Sequence, residues 1–351
     1  MELFVPGRLC LFGEHSDWAS LYQPQNKKIP SGSALVSLLD LGIYARAEKS
    51  THIEINSVIN ENDMEKKLTL LCAADVSELQ VYIDEHHFFS YAASICQYMI
   101  RHYHVEGIFL DNYKTTLPIK KGLASSASFS VLLVRAFNRV YHLGLTFDDE
   151  REIAFLCENI SHSRCGRMDH ACAYPKSIMH LAFNHGRTVY SNIEMAKDIY
   201  LVIVDLNGVK NTRVILDNLN SHYPFPRNRK ERGFHRYLGK YNIRTIEKAA
   251  SFLKKGKVKQ LGHLMNKVQK QFDRHVQPFS EEDLSSPLLH SLLNDKSIYP
   301  FIYGGKGVGS HGDGCAQLIA RDGEKQLLLV SYLISKGYRC YPVMIKKEIH
   351  L

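Results

Sequence analysis

Hydrophobic and polar positions follow two different periods along the chain, and these periods alternate from segment to segment. Apolar residues at every second position predict strands, and apolar residues three and four positions apart predict helices. The predicted strands lie near residues 3–12, 40–48, 52–57, 108–117, 178–183, 199–206, 316–320 and 338–346. The predicted helices lie near residues 87–104, 124–142, 148–160, 211–220, 243–272, 285–294 and 323–335. The mixture predicts a protein in which helices pack on sheets.

A cluster of polar side chains follows the first predicted strand. That strand ends at Gly13, and Glu14, His15 and Asp17 occupy three of the next four positions. In a core each of these groups would need a hydrogen-bond partner. Carboxylates and an imidazole can also accept from, and donate to, the hydroxyls of a polyol. The cluster therefore predicts either a solvated turn or the lining of a polyol pocket, and both alternatives are open at this point.

A second polar segment, PIKKGLASSAS at residues 118–128, leads into the helix predicted near 124–142. The free N–H groups and the dipole of a helix N-terminus attract anions. Gly122 would let the backbone approach a phosphate, and Ser125 and Ser126 add hydroxyls for phosphate or Mg²⁺. The segment does not end in Gly-Lys-Ser/Thr and is not a Walker motif. It predicts a phosphate-binding loop, with an ordinary small-residue helix cap as the alternative.

Two acidic residues eleven positions apart form a third candidate. Glu158 lies at the end of the helix predicted near 148–160, and Asp169 lies in the sequence CGRMDH at residues 165–170. Phosphoryl transfer needs one acid that holds a cation and another that orients the attacking hydroxyl. Two acids at this spacing are common by chance. The pair therefore supports a phosphoryl-transfer site only when it is considered together with the other two segments.

These three segments, in this order, resemble the signature motifs of the GHMP kinase superfamily (galacto-, homoserine, mevalonate and phosphomevalonate kinases). Residues 7–18, GRLCLFGEHSDW, are similar to the galactokinase signature G-R-x-N-x-I-G-E-H-x-D-Y. Residues 118–127 match P-x-x-x-G-L-x-S-S-A, and residues 165–170 are similar to C-G-x-M-D-Q. Residues 29–34 and 261–266 also resemble galactokinase segments. The resemblance spans nearly the whole chain and is strongest to the galactokinase branch.

The sequence departs from the galactokinase pattern at several positions. Cys10, Trp18 and His170 replace the galactokinase Asn, Tyr and Gln. The counterpart of the family's glycine-rich third motif, residues 304–315, is longer and more polar than the family norm. Its glycine density still predicts a tight loop beside the phosphates or the substrate. These changes bear on which sugar is bound rather than on the kinase interpretation.

The resemblance implies a catalytic or substrate-binding role for five residues. Arg8 would neutralise charge on the transferred phosphoryl group, and Asp169 would be the catalytic carboxylate. Glu14, His15 and Asp17 would bind sugar hydroxyls. An arginine suits the first role because it donates to phosphate bidentately.

The resemblance further implies ATP and Mg²⁺ as cofactors. Ser126 and Glu158 would hold the metal, which bridges phosphate oxygens in phosphoryl transfer. The nucleotide phosphates would be bound by Gly122, Leu123, Ala124, Ser125, Ser126, Ala127, Gly305, Gly307 and Gly309.

The fold that the resemblance implies is an α+β, two-domain GHMP kinase fold. Residues 1–195 would form an N-terminal domain like domain 2 of ribosomal protein S5, which carries the nucleotide-binding and catalytic residues. Residues 196–351 would form a ferredoxin-like C-terminal domain. The function implied is ATP-dependent phosphorylation of a monosaccharide, at its anomeric hydroxyl. The alternatives are a mevalonate- or homoserine-type kinase and a non-catalytic relative that binds sugar and nucleotide.

Composition and charge narrow the classes of partner. The formal net charge of +8 comes largely from residues 227–248, where aromatic residues interleave with Arg and Lys as in some RNA-binding surfaces. We interpret this segment as a solvated face rather than a nucleic-acid site. No apolar run approaches the ~20 residues that cross a bilayer, so no membrane partner is expected. The eight cysteines form no Cys-x-x-Cys pair, which favours reduced thiols and the cytoplasm.

Overall fold

The chain divides into two compact units. The structure, a computed structural model, describes residues 1–61, 64–85, 87–118, 121–161, 166–208 and 210–347; Lys120 and Cys165, from two of the motifs above, lie outside these ranges. The first unit comprises Met1–Arg8 and Asp40–Pro175, and the second comprises Leu9–Leu39 and Lys176–Leu351. The predicted division into residues 1–195 and 196–351 rests on the family's domains rather than on contacts, and it stays a prediction.

The bounds of the strands and helices are as follows. Strands β1 to β11 are Glu2–Phe12, Gly32–Ser50, His52–Glu61, Met64–Ala73, Gly107–Thr115, Ile178–Asn184, Arg187–Asn192, Ile199–Asp205, Ile302–Gly307, Cys315–Ala320 and Arg339–Ile345. Helices α1 to α12 are Ser16–Ser20, Val76–Asp84, Ser90–Tyr103, Ser125–Tyr141, Phe147–Ile160, Thr212–Asn220, Arg229–Arg236, Asn242–Lys254, Val258–His275, Glu281–Leu284, Pro287–Asn294 and Gly323–Ser335. No helix in the part of the chain that the structure describes is long and apolar enough to cross a membrane.

The first unit combines strands with a layer of helices. Its strands are ordered β4-β3-β5-β2, with β3 and β5 parallel and the other pairs antiparallel. Helix α4 buries Leu132, Leu133 and Phe137 completely, because these residues recur on one face at helical spacing. Helix α5 begins with a capping box, in which Thr146 and Asp149 exchange hydrogen bonds with each other's backbone N–H groups. These helices carry the phosphate segment and Glu158.

The second unit contains an antiparallel four-stranded sheet of order β11-β8-β10-β9. The central strand β8 reads IYLVIVD, and a nearly continuous apolar run of this kind is typical of a strand buried on both faces. Val202 and Val204 of this strand are fully buried in one cluster with Leu329 and Leu333 of α12. The first residues of β2 pair with β6, which in turn pairs with β7.

The predicted mixture of helices and strands is confirmed, with differences at particular segments. Strand β2 begins at Gly32 rather than near residue 40, because residues 32–37 pair with β6. The sequence did not show this, since Ser33 and Ser37, which are buried, interrupt the apolar pattern. The helix predicted near 243–272 is two helices, α8 and α9. They are separated at Gly256, whose φ of +63° ends α8 in a conformation that glycine adopts readily. Helix α7 was not predicted, because Phe234 is its only large apolar residue.

Candidate active site

Arg8 is buried in a hydrogen-bond network of the first unit. Its backbone N–H donates to the carbonyl oxygen of Leu123 at 3.1 Å, and its Nη1 donates to that of Gly122 at 2.8 Å. Its Nη2 donates to Oδ1 of Asp169 in a salt bridge. Three segments that are distant in sequence therefore meet at Arg8: the first strand, the predicted phosphate loop and the segment of the predicted catalytic acid.

The predicted phosphate loop forms the start of helix α4. Ala124 precedes the helix with a φ of 63°, and this N-cap residue makes no side-chain hydrogen bond to the helix N-terminus. Ser126 is exposed on the first turn and Ser125 is half-buried, while Ala127 is buried. Ser128 Oγ donates to the Ala124 carbonyl and to a carbonyl of β1, both at 2.9 Å, and so holds the loop against that strand. An uncapped N-terminus with two nearby hydroxyls is suited to an anion.

Asp169 begins a short 3₁₀ helix, Asp169–Ala173, and 31% of its side chain is exposed. The other end of this helix is held by Arg135, whose Nη2 donates to the Ala173 carbonyl at 2.6 Å. Arg135 Nε also donates to the buried Glu150 at 2.8 Å, and Glu150 accepts from Asn138 Nδ2 at 2.8 Å. We call Arg135, Asn138 and Glu150 the polar clamp. It joins α4, α5 and the helix that carries Asp169.

Glu158 lies buried near the end of α5, with 1% of its surface exposed. His170 Nε2 lies 2.9 Å from Glu158 Oε2, and Ser130 Oγ donates to the same oxygen at 3.4 Å. Both contacts are made to Oε2, so Oε1 is the oxygen that remains for a metal. Mg²⁺ prefers oxygen ligands and keeps substrate phosphates and waters in its shell. The Ser126 hydroxyl and Glu158 Oε1 fit that requirement by donor type.

Protein side chains alone would not complete such a metal shell. Within the described ranges, no group of three or more His, Cys, Asp or Glu side chains is placed to hold a metal ion. A magnesium ion at Ser126 and Glu158 would therefore depend on nucleotide phosphates for further ligands, as is usual in phosphoryl transfer.

In the second unit, Glu14 forms a buried ion pair with Lys306 of β9. Lys306 is fully buried, and its Nζ donates to Glu14 Oε1 and to the Gly307 carbonyl, the latter at 3.0 Å. A buried ammonium is costly unless it is paired and hydrogen-bonded, so each side chain depends on the other. The sequence analysis missed Lys306. Its signal is a lysine between two glycines, at a position that a buried strand occupies.

Two buried histidines, His15 and His311, lie near this ion pair. The His311 ring stacks on Phe272 with centroids 3.7 Å apart, and the His15 ring lies 6.1 Å from the same ring. Burial, reinforced by the charges of Lys210 and Lys306, lowers the pKa of His15 to about 4 and the pKa of His311 well below its usual value. Both rings are therefore neutral near pH 7, because the charged form is disfavoured by desolvation.

The hydrogen bonds of the two histidines differ. Trp18 Nε1 donates to His15 Nδ1 at 3.1 Å, which places the proton of the neutral ring on Nε2. Neither ring nitrogen of His311 has a partner among the residues that the structure describes. Both histidines have positive φ, 67° and 64°, which is uncommon outside glycine and occurs often at functional sites. Asp17 lies half-buried in the first turn of α1, directly after His15 and Ser16.

The glycine-rich segment differs from the predicted loop. Gly305 and Gly307 lie in strand β9, and their N–H groups donate to Asn266 and Gln269 of α9, each at 2.8 Å. This corrects the predicted loop at these two positions, because N–H groups that donate to α9 cannot also donate to a phosphate. Gly309 lies in the loop that follows the strand. A Cβ at Gly307 would meet His311 Nδ1 at 2.7 Å, so this glycine makes room for the histidine.

Comparison with known proteins finds a family likeness in one part of the chain. Residues 90–176 match the GHMP kinases N terminal domain. A galactokinase from Clostridium beijerinckii is 24% identical over 301 residues, which cover 84% of this chain and 66% of the galactokinase. The chain thus spans just under two thirds of that relative's length.

Two solved structures share the fold. Methanococcus jannaschii mevalonate kinase matches with a TM-score of 0.73 and 19% identity, over 99% of this chain and 98% of the kinase. Lactococcus lactis galactokinase complexed with galactose matches with a TM-score of 0.69 and 14% identity, over 98% and 93% of the two chains. These likenesses confirm the predicted α+β GHMP kinase fold. The match of residues 90–176 to the GHMP kinases N terminal domain agrees with this fold.

Proposed function

We propose that this protein transfers a phosphoryl group from ATP to a monosaccharide, at its anomeric hydroxyl. The observation that carries the proposal is the pairing of Arg8 with Asp169 beside the uncapped start of α4. In this arrangement the carboxylate can bind the acceptor hydroxyl, the guanidinium can stabilise the negative charge that develops on the transferred group, and the helix N-terminus can bind phosphates.

Asp169 orients the acceptor hydroxyl and accepts its proton in this mechanism. Arg8 contacts Asp169 through Oδ1, which leaves Oδ2 for the acceptor. The partial exposure of this carboxylate makes it accessible to a substrate. Arg8, fixed by the Gly122 carbonyl, holds the carboxylate in place and contributes positive charge near the transferred group.

Ser126 and Glu158 are the residues that would hold Mg²⁺, and the start of α4 would bind nucleotide phosphates. When bound, ATP supplies the phosphoryl group and Mg²⁺ offsets the charge of the phosphate oxygens. His170 and Ser130 both contact Glu158 and so fix its orientation. His170, which stands where the galactokinase pattern has a glutamine, therefore positions Glu158 in this proposal rather than contacting the substrate.

Glu14, His15 and Asp17 bind the sugar in this proposal. The second unit supports it with polar groups that suit a polyol: Glu14 is held by Lys306, neutral His15 can donate from Nε2, and neutral His311 can both donate and accept. A hydroxyl, which both donates and accepts, would satisfy the ring nitrogens of His311. The galactokinase relative and the galactose complex of the Lactococcus lactis enzyme agree with a monosaccharide acceptor.

A mevalonate-type acceptor is the second candidate, because the fold matches a mevalonate kinase as well as it matches a galactokinase. A single assay separates the two. ADP release from ATP and Mg²⁺ is measured over a panel of hexoses, pentoses and uronic acids, with mevalonate and homoserine in parallel wells. We expect turnover with at least one monosaccharide. Turnover with mevalonate or homoserine and with no sugar would overturn the proposal.

A further inference from the structure

A cavity of about 280 Å³ lies in the second unit, beside helix α1. Its apolar walls come from Ala19 of α1, from Ile29 and Pro30, and from Leu238. None of the residues assigned above to catalysis, substrate, nucleotide or metal lines this cavity. Its volume lies near the lower end of the range for small-molecule sites.

The polar lining of the cavity is cationic. Lys28, Arg232, Arg236 and Lys240 line it together with His235, and no Asp or Glu is among the lining residues. The side chains of the four Lys and Arg residues are recorded in no ion pair within the described ranges. Arg232 and Arg236 are also four residues apart in α7, where two like charges destabilise a helix. The fold therefore keeps an uncompensated positive charge at a concave site.

The acids of the basic segment do not neutralise the cavity. Residues 227–248 contain two, Glu231 and Glu247; Glu247 does not line the cavity, and Glu231 is buried. It accepts from the side chain and the backbone N–H of Arg227, and His222 Nδ1 lies 3.0 Å from it. These contacts, led by the hydrogen bond from Arg227, lower the pKa of Glu231 to about 2. Its charge is thus committed outside the cavity.

The backbone shapes the cavity wall. A π-helical turn, Tyr237–Tyr241, follows α7, and Gly239 within it has non-helical angles, φ −99° and ψ −105°. A Cβ at Gly239 would lie 2.5 Å from Pro30 Cγ, so only glycine allows this approach. On the other side, the His235 ring stacks on Tyr223 with centroids 3.9 Å apart. The backbone between Arg236 and Lys240 is therefore constrained, while the side chains of these two residues are exposed.

We propose that this cavity binds a small phosphorylated metabolite. Arg232, Arg236 and Lys240 hold its phosphate group, since guanidinium and ammonium groups are the usual ligands of phosphate oxygens. The organic part packs against Ile29 and Pro30. The proposal is independent of the kinase reaction, because it uses none of that reaction's residues. In this proposal part of the basic segment 227–248, interpreted above as a solvated face, binds a small molecule.

Isothermal titration calorimetry of the full chain tests the proposal, with inorganic pyrophosphate as the probe. The test variant is Arg232→Gln/Arg236→Gln. The matched control is Arg244→Gln/Lys248→Gln, which removes the same charge from α8 of the same segment without touching the cavity. We expect a site whose Kd is at least tenfold higher in the test variant and within twofold of wild type in the control; any pyrophosphate bound at the start of α4 should bind equally to all three proteins. A sugar phosphate should bind more tightly than orthophosphate, because it also reaches the apolar wall.

Three outcomes would overturn the proposal. Undiminished binding in the test variant would place pyrophosphate elsewhere, for example at the start of α4. An equal loss in both variants would show attraction by net charge alone. Tighter binding of a single-stranded RNA oligonucleotide, weakened equally by both variants, would make the segment a nucleic-acid surface. Should the double variant fail to fold, Lys240→Gln, at an exposed position, is judged by the same criteria, with at least a threefold rise in Kd expected.

Discussion

The carboxylate of Asp169 is the side-chain group whose loss we expect to affect turnover most. Asp169→Asn keeps the shape but removes the group that accepts the acceptor's proton. We expect kcat to fall by ~10²–10⁴-fold, the usual size of a general-base effect. Acceptor affinity, measured by calorimetry, should change much less. Asp84→Asn, at an exposed position on α2, is the matched control and should keep wild-type turnover; comparable turnover in both variants would contradict the assignment.

The ion pair of Lys306 with Glu14 makes a prediction about stability. Lys306→Met leaves the Glu14 carboxylate buried without its cation, and removal of one partner of a buried pair costs about 3–5 kcal/mol. Lys306→Met/Glu14→Gln removes both charges, and we expect it to be more stable to urea than Lys306→Met alone. A double variant that is less stable than the single variant would show that the pair is not coupled in this way.

The sequence revealed some side chains of the candidate site and concealed others. Arg8, Glu14 and Asp169 were found because their neighbours form recognisable local patterns. Lys306 was missed because its partner lies 292 positions away, and no local pattern shows that a buried lysine is paired. His311 was missed for a related reason: its burial depends on stacking against Phe272 of a distant helix.

Helices α4 and α5 and the 3₁₀ helix of Asp169 are joined by the polar clamp, and Glu150 is its centre. Glu150→Gln keeps the size of this buried side chain but leaves the Arg135 guanidinium without its carboxylate. We expect a loss of about 3–5 kcal/mol in the free energy of unfolding, the usual cost of an uncompensated buried charge. Glu152→Gln on the same helix is the control. The Glu152 side chain is 35% exposed, against 2% for Glu150, so the Glu152 variant should lose less than about 1 kcal/mol.

Strands and helices with a clear apolar period were predictable, and those without one were not. Strand β8 and helix α4 carry uninterrupted patterns, and the structure has both near their predicted positions. Helix α7 has a single large apolar residue, Phe234, and no periodic apolar face. The helix is held by the tertiary packing of Phe234, which the local sequence does not show. The early start of β2 has the same cause, because pairing with β6 determines it.

Acid should destabilise the folded chain through His15. The folded pKa of about 4 lies below the unfolded value near 6.5, so the unfolded state takes up a proton first as the pH falls. The contribution of His15 to the free energy of unfolding is therefore complete above pH 6.5 and is lost as the pH falls toward 4. At pH 5 the loss is about 2 kcal/mol. His311, whose pKa is lowered in the same direction, adds to the loss.

Urea unfolding at pH 7.5 and pH 5.0 checks this prediction. His15→Asn should reduce the difference in stability between the two pH values by about 2 kcal/mol relative to wild type. His102→Asn, at an exposed position on α3, should leave the difference unchanged. An equal pH dependence in all three proteins would show that His15 titrates normally in the folded chain.

Trp18 gives the protein a built-in optical reporter. It is the single tryptophan of the chain, so all indole emission originates from helix α1. Its Nε1 donates to His15, and its ring meets Tyr223, which lines the cationic cavity, edge to face at 5.2 Å. A sugar that engages His15 and a phosphorylated ligand that displaces Tyr223 would each alter the surroundings of the same fluorophore. Both binding events can therefore be followed on the unlabelled protein, from the emission of one side chain.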